Sequence, residues 1–251
     1  TTNSIVNALN NVIANANGNI ATNGDITAET GKAALNSKSG SVTMQNVTAD
    51  QVVDIDAAQD ITADGNLTSN NGDITLDAGG SITTNSIVNA LNNVIANANG
   101  NIATNGDVTA ETGKAALNSK SGSVIMMNVA GNSAVDIDAV QNITADGKLT
   151  SNNGDITLDA GGSITTNSIV NALNNVIANA NGDIATNGDV TAQTGKAALN
   201  SKSGSVTMQN VTADQVVDID AAQDIIADGN LTSNNGDITL DAGNSITTNG
   251  K

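Results

Sequence analysis

Residues Ser81 to Gly162 read SITTNSIVNALNNVIANANG, NIATNGDVTAETGKAALNSKSG, SVIMMNVAGNSAVDIDAVQ and NITADGKLTSNNGDITLDAGG, four lines that span 81–100, 101–122, 123–141 and 142–162. Each line is about 20 residues, the length of a short solenoid repeat. Each opens with a polar residue followed by Ile or Val, and each is treated below as one coil, A to D. Within a coil the apolar residues come in short alternating bursts. In coil D these are Ile143 then Ala145, Leu149 then Ser151, and Ile156, Leu158 and Ala160. An alternation of period two is the mark of a strand with one buried face, and it occurs three times per coil. Between the bursts lie Asp146-Gly147, Asn152-Asn153-Gly154 and Gly161-Gly162, residues that tolerate turns with positive φ. Three short strands in about 20 residues predict an all-β, triangular parallel β-helix, with right-handed coils by the general crossover preference.

Working outward, TTNSIVNALNNVIANANG begins at Thr1, Thr83 and Thr165, so the four coils form one 82-residue unit. The chain is expected to be a single β-solenoid segment of three tandem repeats, 1–82, 83–164 and 165–246, with a truncated fourth start at 247–251. Repeats one and three differ only at Asn19/Asp183, Ile26/Val190, Glu29/Gln193, Thr62/Ile226 and Gly80/Asn244, which points to recent duplication within a longer array. About 12 coils stacked at roughly 4.8 Å would extend roughly 58 Å. The first residues lack a signal peptide's basic and apolar segments, so the expectation is an upstream signal or an excised fragment.

Stacking turns each inward position into a column, one of which runs through Ile82, Ile102, Val124 and Ile143. Ile61, Ile74, Leu76 and Ala78 are expected inside, with Asp73 outside, because the turn residues fix that register. Coil A is the ambiguous one. Its Ile87, Val88, Leu91, Val94 and Ile95 also fit helical spacing, although its many Asn residues lower helix propensity and a helix would interrupt the ladder in every repeat.

The composition removes most chemistry. There is no Cys, His, Pro, Phe, Tyr, Trp or Arg, so most of the usual catalytic side chains are missing and the chain is not expected to be an enzyme. The 38% of hydrophobic residues are all aliphatic, Ala or Met, which suits a thin stacked core better than a globular one. A net charge of -17 repels nucleic acid and anionic membrane surfaces, and no apolar run is long enough to insert into a bilayer. Without Cys no disulfide framework exists and the redox compartment is not readable.

Three local patterns resemble chemical motifs. Gly24 to Ala33 is superficially like a phosphate loop, but six residues separate Gly24 from Gly31 and Ala33 replaces the required Ser or Thr. Asp54 with Asp56, Asp136 with Asp138 and Asp218 with Asp220 place two carboxylates on one outward strand face. Such pairs suit acid-base work or Ca²⁺, yet a convex strand offers no cleft, so solvated surface charge is the favoured reading and weak Ca²⁺ binding the alternative. No cofactor is otherwise expected. Asn46, Asn66, Asn142, Asn210 and Asn230 each begin an N-x-T sequon, which chance alone supplies in so Asn- and Thr-rich a chain.

The phrases GDITLDAGGSITT, Gly72 to Thr84, and AAQDITADGNLTSNNGDI, Ala57 to Ile74, resemble the haemagglutinin repeats of filamentous-haemagglutinin-like, two-partner-secreted exoproteins. The likeness runs over essentially the whole chain, and the family's N-terminal secretion domain has no counterpart in it. The resemblance implies a right-handed β-helical adhesin or fibre on the outer face of a Gram-negative bacterium.

Two functions follow as expectations. The first is a stalk, filament or biofilm-matrix segment, in which each added repeat adds reach without new chemistry. The alternative is an adhesin module whose repeated face recognises carbohydrate or a host or partner cell, though it lacks the aromatic platforms common in sugar sites. Lyase activity is disfavoured by the missing Arg, His and Tyr. An ice-binding face is disfavoured because one outward column reads Thr83, Ala103, Ile125 and Thr144. If Val88, Ala90, Val94 and Ala96 face inward, then Ile87, Leu91 and Ile95 face outward, as do Ile5, Leu9 and Ile13 and also Ile169, Leu173 and Ile177. That apolar set would recur every four coils, roughly 19 Å, and is a candidate for lateral packing against neighbouring copies of the same fibre. A one-residue shift or a helix in coil A would return these side chains to the core.

Overall fold

Strand alternation settles the register throughout. The computed structural model describes residues 1–250, and among them the regular structure is 36 strands with no helix. The chain divides into two units, Thr1–Met127 and the residues from Asn128 onward. The division falls inside the middle repeat rather than at a repeat boundary. Each unit holds six turns of a parallel β-solenoid, and each turn contributes one strand to each of three parallel sheets.

In the first unit, one narrow face stacks three-residue strands beginning with Val6–Ala8, Ile26–Ala28 and Val47–Ala49. The second narrow face begins with Ile20–Thr22, Val42–Met44 and Ile61–Ala63. The wide face stacks Val12–Ala16, Ala33–Ser37, Val53–Ala57, Ile74–Ala78, Val94–Ala98 and the longer Lys114–Ser119. The second unit repeats this order from Val129–Gly131 to Ile246–Thr248. Strand lengths stay nearly constant while the coils differ in length, so the corners between strands absorb the difference.

Coil A is strand. Val88–Ala90 pairs with Val108–Ala110, and Val94–Ala98 pairs with Ile74–Ala78 and Lys114–Ser119. The alternative helix is excluded, and the inward positions are those expected: Val88, Ala90, Val94 and Ala96 are buried. The core explains why Ile95 stays out. Ala96 lies between Leu76 and Leu117 in its column, so large side chains above and below fill the space a small one leaves. A one-residue shift would put Ile95 into that column and Asn97 into the core, where its amide would need a partner. Ile61, Ile74, Leu76 and Ala78 are likewise buried while Asp73 is not.

The glycines correct one expectation. Among the described residues none has a positive φ, so Gly154 and Gly161-Gly162 are not there for left-handed turns. A Cβ at Gly154 would run into the carbonyl oxygen of Ser133, and one at Gly161 into that of Val140. The corners stack backbone on backbone, and glycine is required for that close approach.

The asparagines hold the same corners together. The Asn11 Oδ1 accepts the Lys32 N–H at 2.9 Å, Asp60 Oδ1 accepts the Ser81 N–H at 2.8 Å, and Asn101 Oδ1 accepts the Ser123 N–H at 2.8 Å. Side chains also bond to one another along the stack: Asn85 Nδ2 donates to Asp64 Oδ1 and Asn105 Nδ2 to Asn85 Oδ1, both at 2.8 Å. Acceptors of the first kind satisfy a corner N–H that no strand ladder reaches. One inward column departs from this economy. The buried hydroxyls of Thr22, Thr84, Thr104, Thr166 and Thr186 have no hydrogen-bond partner, and neither has that of Ser151, in a column of the other narrow face.

Candidate functional site

A solenoid strand offers every second side chain to solvent, so the candidate surface is read column by column. On the wide face of the first unit, one outward column runs Ile13, Ala34, Asp54, Thr75, Ile95 and Ala116. Its neighbour runs Asn15, Asn36, Asp56, Asp77, Asn97 and Asn118. The carboxylate pair of the first repeat therefore faces outward, as expected, and the stack brings a third carboxylate beside it. Burial raises the pKa of Asp56 above its ordinary 3.8, and the charges of Asp54 and Asp77 add to the effect. Burial raises Asp220 in the same direction, with Asp218 and Asp241 contributing. Asp77 is steadied on its other side, where its Oδ1 accepts the Asn97 Nδ2 at 2.8 Å. Asp136 and Asp138 occupy the equivalent outward positions of the second unit. Among the described residues no group of three or more acidic side chains has the arrangement of a metal site.

Both edges of this face carry lysine, which sequence reasoning left aside. Lys32 and Lys38 bracket the strand Ala33–Ser37, and Lys196 and Lys202 bracket Ala197–Ser201. Lys114 and Lys120 occupy the same places around Ala115 to Ser119. The available signal was the K-x5-K spacing around AALNS, whose even separation puts both lysines on the outward side. Beside the edge lies a shallow open groove of about 460 Å³ lined by Asp56, Asp77, Asn97 and Lys120 among small residues.

The apolar set lies where alternation placed it. Ile5 and Leu9 are each 66% exposed, Ile13 55%, Ile87 49% and Ile169 45%, while Leu91, Ile95, Leu173 and Ile177 are half-buried. Ile87 stands at a corner where the coils on either side have Asn66 and Asp107, and Leu91 at one occupied by Asn70 and Glu111. Coil A thus replaces polar corner residues with aliphatic ones at two successive corners.

The sequon asparagines are working corner residues. Asn46 donates to Asp25 Oδ1 at 2.9 Å and accepts the Asn66 N–H at 2.8 Å, and Asn210 donates to Asp189 Oδ1 at 2.8 Å. The segment from Gly24 to Ala33 forms the strand Ile26–Ala28 and an ordinary corner leading into the wide face. No protein-family model matches the chain, and neither does any curated protein or solved structure.

Proposed function

We propose that the chain is a structural repeat segment of a large bacterial fibre or adhesin, displayed at the outer cell surface or in an extracellular matrix, and that it performs no catalysis. One observation carries this reading: an almost unchanged 82-residue unit folds into coils whose corner side chains serve to bond the next coil. Such a surface multiplies length, and the resemblance of Gly72 to Thr84 to haemagglutinin repeats supports an exported fibre. Lateral packing of copies through the coil A set, Ile5, Leu9, Ile13 and their equivalents, is the finer part of the reading. A periodic apolar set at the surface is what such packing uses.

Electron microscopy of the full-length product on its source cells tests the proposal. Thin extended structures labelled at the cell surface or in the surrounding matrix are expected. A compact intracellular particle would overturn it. Replacing Ile87, Leu91 and Ile95 with their equivalents by Thr is expected to abolish bundling without lowering the melting temperature. A large loss of stability would return these residues to a packing role.

A further inference from the structure

We propose that Asn153 is a modification site: of three corners with the same local sequence, it is the one whose asparagine loses its side-chain amide in the folded chain, through attack by the adjoining Gly154 nitrogen. The stretch LTSNNGDITLDAG occurs at 67–79, 149–161 and 231–243, so Asn71-Gly72, Asn153-Gly154 and Asn235-Gly236 share their local chemistry. Glycine suits this reaction because no Cβ shields its nitrogen. The glycine N–H gives its proton to water or hydroxide, and the nitrogen forms a bond to the asparagine Cγ. Nδ2 leaves as ammonia, and a five-membered succinimide remains. Water then opens the ring to aspartate or isoaspartate, so no oxidant, cofactor or enzyme takes part. The reaction is independent of the fibre reading of the chain.

Two bonds restrain the reacting groups at the first corner. Gly72 N–H donates to Ser69 Oγ at 3.1 Å, and Asn71 Nδ2 donates to Asp50 Oδ1 at 2.6 Å. Ser69 is itself oriented by donating to the Gln51 carbonyl. The third corner repeats the set, with Gly236 N–H on Ser233 Oγ at 3.0 Å, Asn235 Nδ2 on Asp214 Oδ1 at 2.7 Å, and Ser233 on the Gln215 carbonyl. To react there, the nitrogen must leave the serine, and the carboxamide must leave the aspartate and swing onto its own backbone. The middle corner lacks the first restraint. Ser151 Oγ has no partner, so it does not hold the Gly154 N–H. The second restraint is weaker, because Asn153 Nδ2 donates to the neutral Asn132 Oδ1 at 2.8 Å, and hydrogen bonds to an ionised acceptor are the stronger kind. Asn71 and Asn153 are both exposed, so access of water does not separate them.

The cause lies one coil earlier. Asp50-Gln51-Val52 and Asp214-Gln215-Val216 become Asn132-Ser133-Ala134 in the middle repeat. The strand that follows, Ala134–Ala139, starts one position ahead of its equivalents Val53–Ala57 and Val217–Ala221. A Cβ at Gly72 or Gly154 would meet the carbonyl oxygen of Gln51 or Ser133 alike, yet only the Gln51 carbonyl also receives a serine hydroxyl. Gly131 stands beside Ser151 where Ala49 stands beside Ser69, so the Ser151 hydroxyl has one methyl less to pack against. The same substitutions accommodate the product. A carboxylate at position 71 or 235 would face Asp50 or Asp214, two like charges in place of a hydrogen-bonded pair. At position 153 it faces Asn132, whose carboxamide carries the donors to rebuild the pair with the roles exchanged.

Incubation of the 251-residue chain at neutral to mildly alkaline pH, followed by unfolding, trypsin and tandem mass spectrometry, tests the proposal. The lysines place Asn71, Asn153 and Asn235 in separate peptides, 39–114, 149–196 and 203–251. In the folded chain Asn153 is expected to convert about tenfold faster than Asn71, the rate ratio set by one further hydrogen bond to be broken. In urea, where only local sequence acts, the three asparagines are expected to convert alike. Asn132→Asp, Ser133→Gln and Ala134→Val together rebuild the first corner and are expected to bring Asn153 down to the rate of Asn71. The reverse exchange, Asp50→Asn, Gln51→Ser and Val52→Ala, is expected to raise Asn71 to the rate of Asn153. Circular dichroism checks both folds, and should a triple variant not fold, Asn132→Asp alone is expected to slow Asn153. Equal rates for Asn71 and Asn153 in the folded parent overturn the proposal. So does a difference that persists in urea, or an Asn153 rate that a folded variant with the rebuilt corner leaves unchanged.

Discussion

The sequence GDITLDAG occurs at residues 154–161 and again at 236–243, and the two copies meet different fates. In the first, Ile156 and Leu158 are 0% and 1% exposed, with paired strands on both sides, Ala134–Ala139 and Val176–Ala180. In the second, Ile238 is 44% exposed, and its strand pairs on one side only, with Val217–Ala221. Nothing local distinguishes them. Burial in this molecule is conferred by the next coil, so stability resides in the interfaces between coils rather than within any one of them.

The strongest way to break that comparison is to make every coil nearly terminal. A single 82-residue repeat has two uncovered ends for only four coils, and its melting temperature should fall by tens of degrees below that of three repeats. Equal thermal midpoints would show that single repeats carry their own stability. Next in size, Leu158→Ala should cost about 2–5 kcal/mol through the cavity it leaves. Leu240→Ala, in the coil with one neighbour, should cost less than Leu158→Ala, because Leu240 is already partly exposed and packs against a coil on one side only. Hydrogen exchange of the flanking strands in each variant measures both.

A smaller effect of opposite sign is expected from the partnerless hydroxyls. Thr166→Val keeps the shape of a buried side chain and removes an unsatisfied oxygen, so it should stabilise by about 1 kcal/mol. Thr248 is the same position one repeat later, but it is exposed, and Thr248→Val should change nothing in urea titrations. The smallest effect follows pH. The folded pKa of Asp56 is raised by burial and by Asp54 and Asp77, so its charged form opposes folding. That opposition is complete at neutral pH and fades as pH falls through the raised value toward 3.8. Asp56→Asn should therefore melt slightly higher than the parent at pH 7, with the two converging as pH approaches 3.8. A constant difference across that range would assign the effect to packing instead.

The parts of the fold legible in the sequence are those written with period two. Ile74 and Leu76 against Asp73 and Asp77 admit one register, and the same rule placed Val94 and Ala96 inside and Ile95 outside in the ambiguous coil. The corners were less legible. Glycine serves a left-handed turn and a close backbone contact equally well, and only the stacking of Gly154 on Ser133 separates the two. The charged columns of the wide face were hidden for a geometric reason. A long coil adjoins a short one, so Lys38 and Ala58 become neighbours only after the differing corners have been taken out. The partnerless Thr84 and Thr104 were obscured likewise, since a threonine preceding a turn reads as surface until its column is assembled.

The corner bonds that join Lys32 to Asn11, Ser81 to Asp60 and Ser123 to Asn101 span 21, 21 and 22 residues, and the strand pairings span similar distances. The sequence separation that must be closed to add a coil is therefore nearly the same wherever the coil lies. Loop-closure entropy depends only weakly on length and is here almost constant, so the time to add a coil does not grow with the number already in place. A chain delivered from its N-terminal end completes each turn on a finished template and waits only for the next turn's worth of chain, never for a distant partner.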